Sequence, residues 1–170
     1  TGLLLFIFGF FSSKMMLIHS GALFLNIAFI YFSMISFTTL WKVEDKNATV
    51  KTFLVSFLFL FISVIIGMLI AIQHTNGFSS IRFNEIHIVA IIFGWTFLLI
   101  SGVAYKVIPM FYVTKEYPLF IKEHYFKFIT VLIILFSILV VLDSSLSSIV
   151  KVAIGISSAI FAVATIKLLK

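Results

Sequence analysis

The stretch from Thr52 to Gln73, TFLVSFLFLFISVIIGMLIAIQ, contains no charged residue and only one glycine, Gly67. A bilayer span needs about 20 predominantly apolar residues in a row, and its backbone polar groups must pair within the segment once water is excluded. This stretch meets that requirement and reads as a transmembrane α-helix. The same reading extends outward to Met15–Trp41 on one side and to Ile86–Ile108, Tyr125–Leu142 and Leu146–Leu169 on the other, none of which holds an internal acid. Thr1–Phe11 is uniformly apolar but too short to cross, and reads as the tail of a helix that begins upstream. The expected fold is all-α: a polytopic transmembrane helix bundle of five complete spans plus the C-terminal part of a sixth. Residues 1–170 form one transmembrane domain.

Composition supports this reading. Hydrophobic residues make up 62% of the chain and charged residues 11%, with a mean hydropathy of +1.27, whereas about a quarter of a soluble domain is charged. There is no cysteine, which excludes disulfides, thiolate metal sites, iron–sulfur clusters and cysteine-attached haem. A metal would have to be held by histidine, carboxylate, tyrosine or methionine.

The net charge of +6 reports orientation, because the basic residues are scattered through short connectors and form no patch for nucleic acid. With alternating spans, Lys42, Lys46, Lys51, Lys106, Lys115, Lys122, Lys127, Lys167 and Lys170 fall on one side, and only Lys14, Arg82 and Lys151 on the other. The positive-inside rule places the lysine-rich side, with the C-terminus, in the cytoplasm. Trp41, Tyr105, Tyr112, Tyr117 and Tyr125 are then expected in the aromatic belt at the cytoplasmic headgroups. Asn47-Ala48-Thr49 matches a glycosylation pattern but falls on the same cytoplasmic side.

Three of the four histidines, His19, His74 and His87, map to the outer membrane face; His124 lies in the charged cytoplasmic run Lys122-Glu123-His124. Residues seven apart on a helix lie close to one face. His19, Asn26 and Ser33 share such a face, as do Ser56, Ser63, Gly67 and His74, and again His87, Gly94, Ser101 and Tyr105. Small and polar residues in membrane helices turn toward other helices, so each histidine is expected on a protein-facing side. Three imidazoles at one depth can meet at a haem or a metal ion. Glu85 and Asn76 are candidates to fix a second ring nitrogen, and Arg82 and Lys151 to pair with haem propionates. Asn76-Gly77 and the serines that follow mark a turn, which sets His74 and His87 at one level on adjacent antiparallel helices.

The run His87-Ile-Val-Ala-Ile-Ile-Phe-Gly94-Trp95, then Gly102-Val-Ala-Tyr105-Lys-Val-Ile-Pro109-Met110-Phe111 and Tyr117-Pro118, resembles a pattern in small bacterial membrane proteins related to haem–copper oxidase subunit I and to NnrS-type haem- and copper-containing proteins. The resemblance covers His87 to Pro118. It implies that His87 ligates haem or copper, with His19 or His74 as partner. The chain lacks the adjacent histidine pair of the oxidase copper centre and has fewer spans than the oxidase core, so oxygen reduction is not expected.

The function expected is therefore a bacterial inner-membrane protein binding haem b, or copper, through His19, His74 and His87 near the periplasmic face. Its role would be an accessory one in respiration or nitric-oxide response, in contact with respiratory-complex subunits or a second copy of itself. A small-solute permease and a non-catalytic scaffold subunit fit the same stripes.

Overall fold

The computed structural model describes residues 1–76 and 82–169, the side chains at 74–76 excepted. Helices account for nearly all of it: α1 Gly2–Phe11, α2 Met15–Trp41, α3 Ala48–Asn76, α4 Phe83–Tyr112, α5 Leu119–Val141 and α6 Leu146–Leu168. The last five are long and apolar enough to cross a bilayer. The molecule is an all-α helix bundle of the transmembrane kind.

The helices overrun the expected spans wherever a polar residue or proline had suggested an end. α3 begins at Ala48, where the Asn47 carboxamide oxygen accepts the Val50 amide at 3.1 Å and caps the first turn. α4 continues through Pro109 to Tyr112 before Val113 turns left-handed at φ 51°; proline removes one hydrogen bond without ending the helix at once. α5 begins at Leu119, directly after Pro118. Short left-handed turns at Ser13 and Asp143 reverse the chain between α1 and α2 and between α5 and α6, with Lys14 N–H on the Gly9 carbonyl and Ser144 N–H on the Leu139 carbonyl. Both have the form of a helix C-cap that satisfies otherwise unpaired carbonyls.

Consecutive helices pack side by side. The main core joins α3, α4, α5 and α6 through Phe59, Val89, Leu98, Ile133, Phe136 and Ile154. A second cluster closes the lysine-rich end: Tyr105, Tyr117 and Phe161, with Tyr125 stacked on Phe161 at 4.9 Å between ring centroids. The tyrosines of that cluster were expected in the headgroup belt. Tyr105 and Tyr117 are instead buried, with Tyr117 donating to Thr165 Oγ at 2.9 Å, while Trp41 and Tyr112 stay exposed as a belt requires. A phenol inside protein keeps its favourable depth and gains ring contacts on every side.

On the far side of α3, α2 packs on α3 and α1 on α2, where a Cβ at Gly21 would stand 2.4 Å from the Phe6 backbone nitrogen. Most of the surface of α2 is exposed and apolar, as a lipid-facing helix should be.

α3 and α4 also touch closely. A Cβ on Gly94 would meet the Phe59 ring at 2.5 Å, and one on Gly102 the Phe53 ring at 2.6 Å, whereas Gly155 on α6 has nothing within 4 Å. Gly94→Ala should therefore destabilise the bundle by about 1–3 kcal/mol through overpacking. Gly155→Ala should leave it unchanged or stabilise it by up to about 1 kcal/mol. Thermal unfolding followed by circular dichroism in one detergent compares the two.

Candidate functional site

Polar groups enter the apolar interior along the seam between α3 and α4. From the lysine-rich end outward, Thr52, Ser56 and Ser63 on α3 are fully buried, as is Ser101 on α4. A hydroxyl in this setting needs an acceptor, and two of these find one on their own helix. Thr52 donates to the Ala48 carbonyl at 2.8 Å and Ser101 to the Phe97 carbonyl at 2.8 Å.

Ser56 instead crosses to α4, donating to the Trp95 carbonyl at 2.9 Å. That carbonyl is accessible because α4 widens into π-helical turns over Ala90–Phe97, where the usual ladder is displaced by one residue. The wide turns also change which residues face α3. A regular helix would align Gly94 with Ser101, but the extra residue brings Gly102 onto Phe53 and Thr52.

His87 sits one turn before this widened segment. Its Nδ1 lies 2.9 Å from the Ser63 carbonyl oxygen, and the carbonyl can only accept. In the neutral ring the proton is therefore on Nδ1, and the Nε2 lone pair remains available. The ring lies over Gly67, whose missing side chain leaves the room: a Cβ there would stand 3.2 Å from His87 Cε1. A backbone carbonyl thus does what Glu85 or Asn76 was expected to do. Beside it, the Ser63 hydroxyl is buried without a hydrogen-bond partner among the described residues, and so is Trp95 Nε1 farther along the seam.

His19 occupies a different place. It is exposed and lines a shallow groove of about 210 Å³ between α2 and α3, with Asn26 of its own helix and Met68, Ala71 and Ile72 across from it. Of the groove residues on α3, Met68 and Ile72 lie about a quarter turn or more from Gly67 and Ala71 nearly in line with it, so His19 approaches α3 about a quarter turn from where His87 does. Asn26 donates back to the Ala22 carbonyl at 2.8 Å. The side chain of His74 lies outside the described residues. Among the described residues no three histidine or acidic side chains form a metal-holding group.

Arg82 and Lys151 converge on Glu85. Lys151 Nζ is 3.0 Å from one carboxylate oxygen and Arg82 is 3.4 Å from the other, with Arg82 also 3.5 Å from Asp143. These partly exposed pairs link the start of α4 to the α5–α6 turn and to α6. Glu85 is committed to them, which leaves it with cation partners and the imidazole with the carbonyl. Sequence spacing missed the Ser56–Trp95 bond, since nothing in a 3.6-residue pattern signals a wide turn; Gly94 followed by Gly102 at a spacing of eight was the available hint.

Comparison with protein-family models, with curated proteins and with solved structures gave no match.

The unpaired hydroxyl yields a sharp expectation. Burying a hydroxyl with no partner costs about 1–3 kcal/mol, so Ser63→Ala should raise the unfolding midpoint of the ligand-free protein. Ser56→Ala removes a hydroxyl that has a partner and should lower the midpoint by about 1 kcal/mol equivalent. Parallel thermal melts of the two variants check the contrast.

Proposed function

We propose that the chain is a bacterial inner-membrane protein that binds haem b through His87 near the periplasmic face, in an accessory role in respiration or nitric-oxide response. Copper at the same imidazole is the second cofactor this site chemistry suits. The supporting observation is the Nδ1 to Ser63 carbonyl bond at 2.9 Å. Ligating histidines almost always have their other ring nitrogen held by a carbonyl or carboxylate, which sets the tautomer and raises ligand basicity. His87 has that arrangement, with Nε2 left free to bind, and an unpartnered buried hydroxyl, Ser63 Oγ, beside it. The donor set fits: a neutral imidazole suits both haem iron and copper.

When bound, haem iron supplies one-electron transfer or reversible binding of a small diatomic ligand. His87 would offer its Nε2 to the metal, while the Ser63 carbonyl fixes the ring and Gly67 leaves the space into which the ring leans. His19 and His74 are the candidates for a second ligand. Arg82 and Lys151 can turn to propionates only by giving up Glu85 and Asp143, pairs that are partly exposed and so cheap to exchange. The outward position of His87 follows from the positive-inside assignment of the lysine-rich end.

A second reading is favoured by the same bond. It ties α3 to α4, and in a non-catalytic membrane subunit that would be its whole purpose. The variant His87→Asn separates the two, because the asparagine amide can still donate to the Ser63 carbonyl while the Nε2 ligand is lost. Full-length protein purified from membranes and reconstituted with haem should show a Soret band that His87→Asn removes, with the unfolding midpoint kept near wild type. Absence of the band, and of bound copper after copper loading, in folded wild-type protein would leave the structural reading.

A further inference from the structure

Ser56 departs from a pattern that runs through the helices. Thr52, Ser101, Thr130, Ser137, Ser158 and Thr165 each donate to the carbonyl four residues earlier in their own helix, the local bond open to a serine or threonine inside a helix. Ser56 has the same acceptor at hand in the Thr52 carbonyl. It is fully buried, yet it donates across the seam to the Trp95 carbonyl at 2.9 Å. A side chain that engages a backbone carbonyl is one of the few things that interrupts a helical ladder, and Trp95 lies inside the widened turns Ala90–Phe97.

The phase of α4 on either side of Trp95 shows what those turns do. In a regular helix Gly94 and Ser101, seven apart, would lie within about 20° of one line, and Gly102 about 80° from it. Yet Gly102 meets the Phe53 ring, while Gly94 meets Phe59 and His87 lies over Gly67. One extra residue in the wide turns, worth about 100° of rotation, therefore keeps both halves of α4 against α3. Were the turns to close into a regular helix, the halves would fall out of phase by that angle. The half from Leu98 onward is the better held. Leu98, Ser101, Ala104 and Tyr105 are buried, and the Tyr105 ring stands 5.4 Å from Tyr117 and 6.0 Å from Phe161 between centroids. The half that begins at Phe83 carries His87, so it is the part that would swing, taking the imidazole off Gly67 and off the Ser63 carbonyl.

We propose that Ser56 is a positioning residue for His87: its bond to the Trp95 carbonyl holds the wide turns in place, and those turns keep the imidazole over Gly67 with Nδ1 on the Ser63 carbonyl. Ser56 lies seven residues before Ser63, about 10 Å along α3, so it acts through the register of α4. The proposal deepens the reading of His87 as a ligand, but it concerns the ring before any cofactor is bound.

Nitrogen-15 magnetic resonance of the full chain in lipid bilayers, free of cofactor and with ring-labelled histidine, tests it, the His87 signal being assigned by its absence in His87→Asn. Ser56→Ala should lose the signal of a His87 ring protonated at Nδ1 and bonded to a carbonyl. Ser101→Ala, which removes an equally buried hydroxyl whose bond stays within α4, should keep it. Deletion of the exposed Thr96 from the Ser56→Ala variant removes the extra residue itself and sets Gly102 seven positions from Gly94. That deletion should restore the His87 signal, which loosened packing alone could not do. Circular dichroism checks that each variant is folded, and the contrast between Ser56→Ala and Ser101→Ala decides the matter should the deletion variant not fold. An unmoved His87 in Ser56→Ala, an equal loss in Ser101→Ala, or a loss that a folded deletion variant does not repair would overturn the proposal. Haem reconstitution is scored separately: a wild type without a Soret band, whose His87 signal still depends on Ser56, removes the haem reading and leaves the positioning role standing.

Discussion

The bundle depends on how closely α3 can lie against α4. In lipid, two apolar helix faces gain little by leaving hydrocarbon for each other, so association rests on van der Waals fit and on hydrogen bonds between helices. Both are present along this seam. Gly67, Gly94 and Gly102 let His87, Phe59 and Phe53 press onto bare backbone, while Ser56 and His87 each place a hydrogen bond across the interface. The remaining helices are arranged around that pair: α5 and α6 complete the core on one side, and α2 leans on α3 from the other.

The seam also explains where polarity is tolerated. Hydroxyls that return to their own helix, such as Thr52, Ser101 and Ser158, are satisfied locally and ask nothing of a neighbour. Ser56 reaches across, and it can do so because the widened turns of α4 expose the Trp95 carbonyl. Ser63 Oγ and Trp95 Nε1 have no partner among the described residues. Buried polar groups without a partner are uncommon, and Ser63 Oγ lies on the residue whose carbonyl holds the His87 ring.

Much of this was legible in the sequence. Apolar runs with no internal acid located every span, and the seven-residue recurrence of Ser56, Ser63 and His87, Gly94 identified the faces that meet. The parts that were not legible have particular causes. Periodicity assumes a regular helix, so it selected Ser101 for the α3-facing stripe and gave no sign that an inserted wide turn brings Gly102 there too. Depth along a span says nothing about lateral position, and Tyr105 and Tyr117, at the right depth for a belt, are packed inside. The same limit applies to His19 and His87. They were assigned one depth, yet they approach α3 about a quarter turn apart. One helix end was placed too early, at Pro109, because α4 runs one turn past it, and one start too late, at Tyr125, because the charged run Lys122-Glu123-His124 was read as connector when α5 starts just after Pro118.

The two ends of the bundle divide its chemistry. The lysine-poor end presents His87 beside the Arg82, Glu85, Asp143 and Lys151 network; the lysine-rich end presents an aromatic cluster and an apolar groove between α5 and α6. What links sequence, packing and function in this account is the state of one ring, His87, fixed by one carbonyl. Nitrogen-15 magnetic resonance of ring-labelled histidine, with the protein in lipid bilayers and free of cofactor, reads that state directly. A His87 ring protonated at Nδ1 and bare at Nε2 is expected, with the signal altered in a Gly67→Ala variant that crowds the ring. A His87 ring bare at Nδ1 and protonated at Nε2 would contradict it.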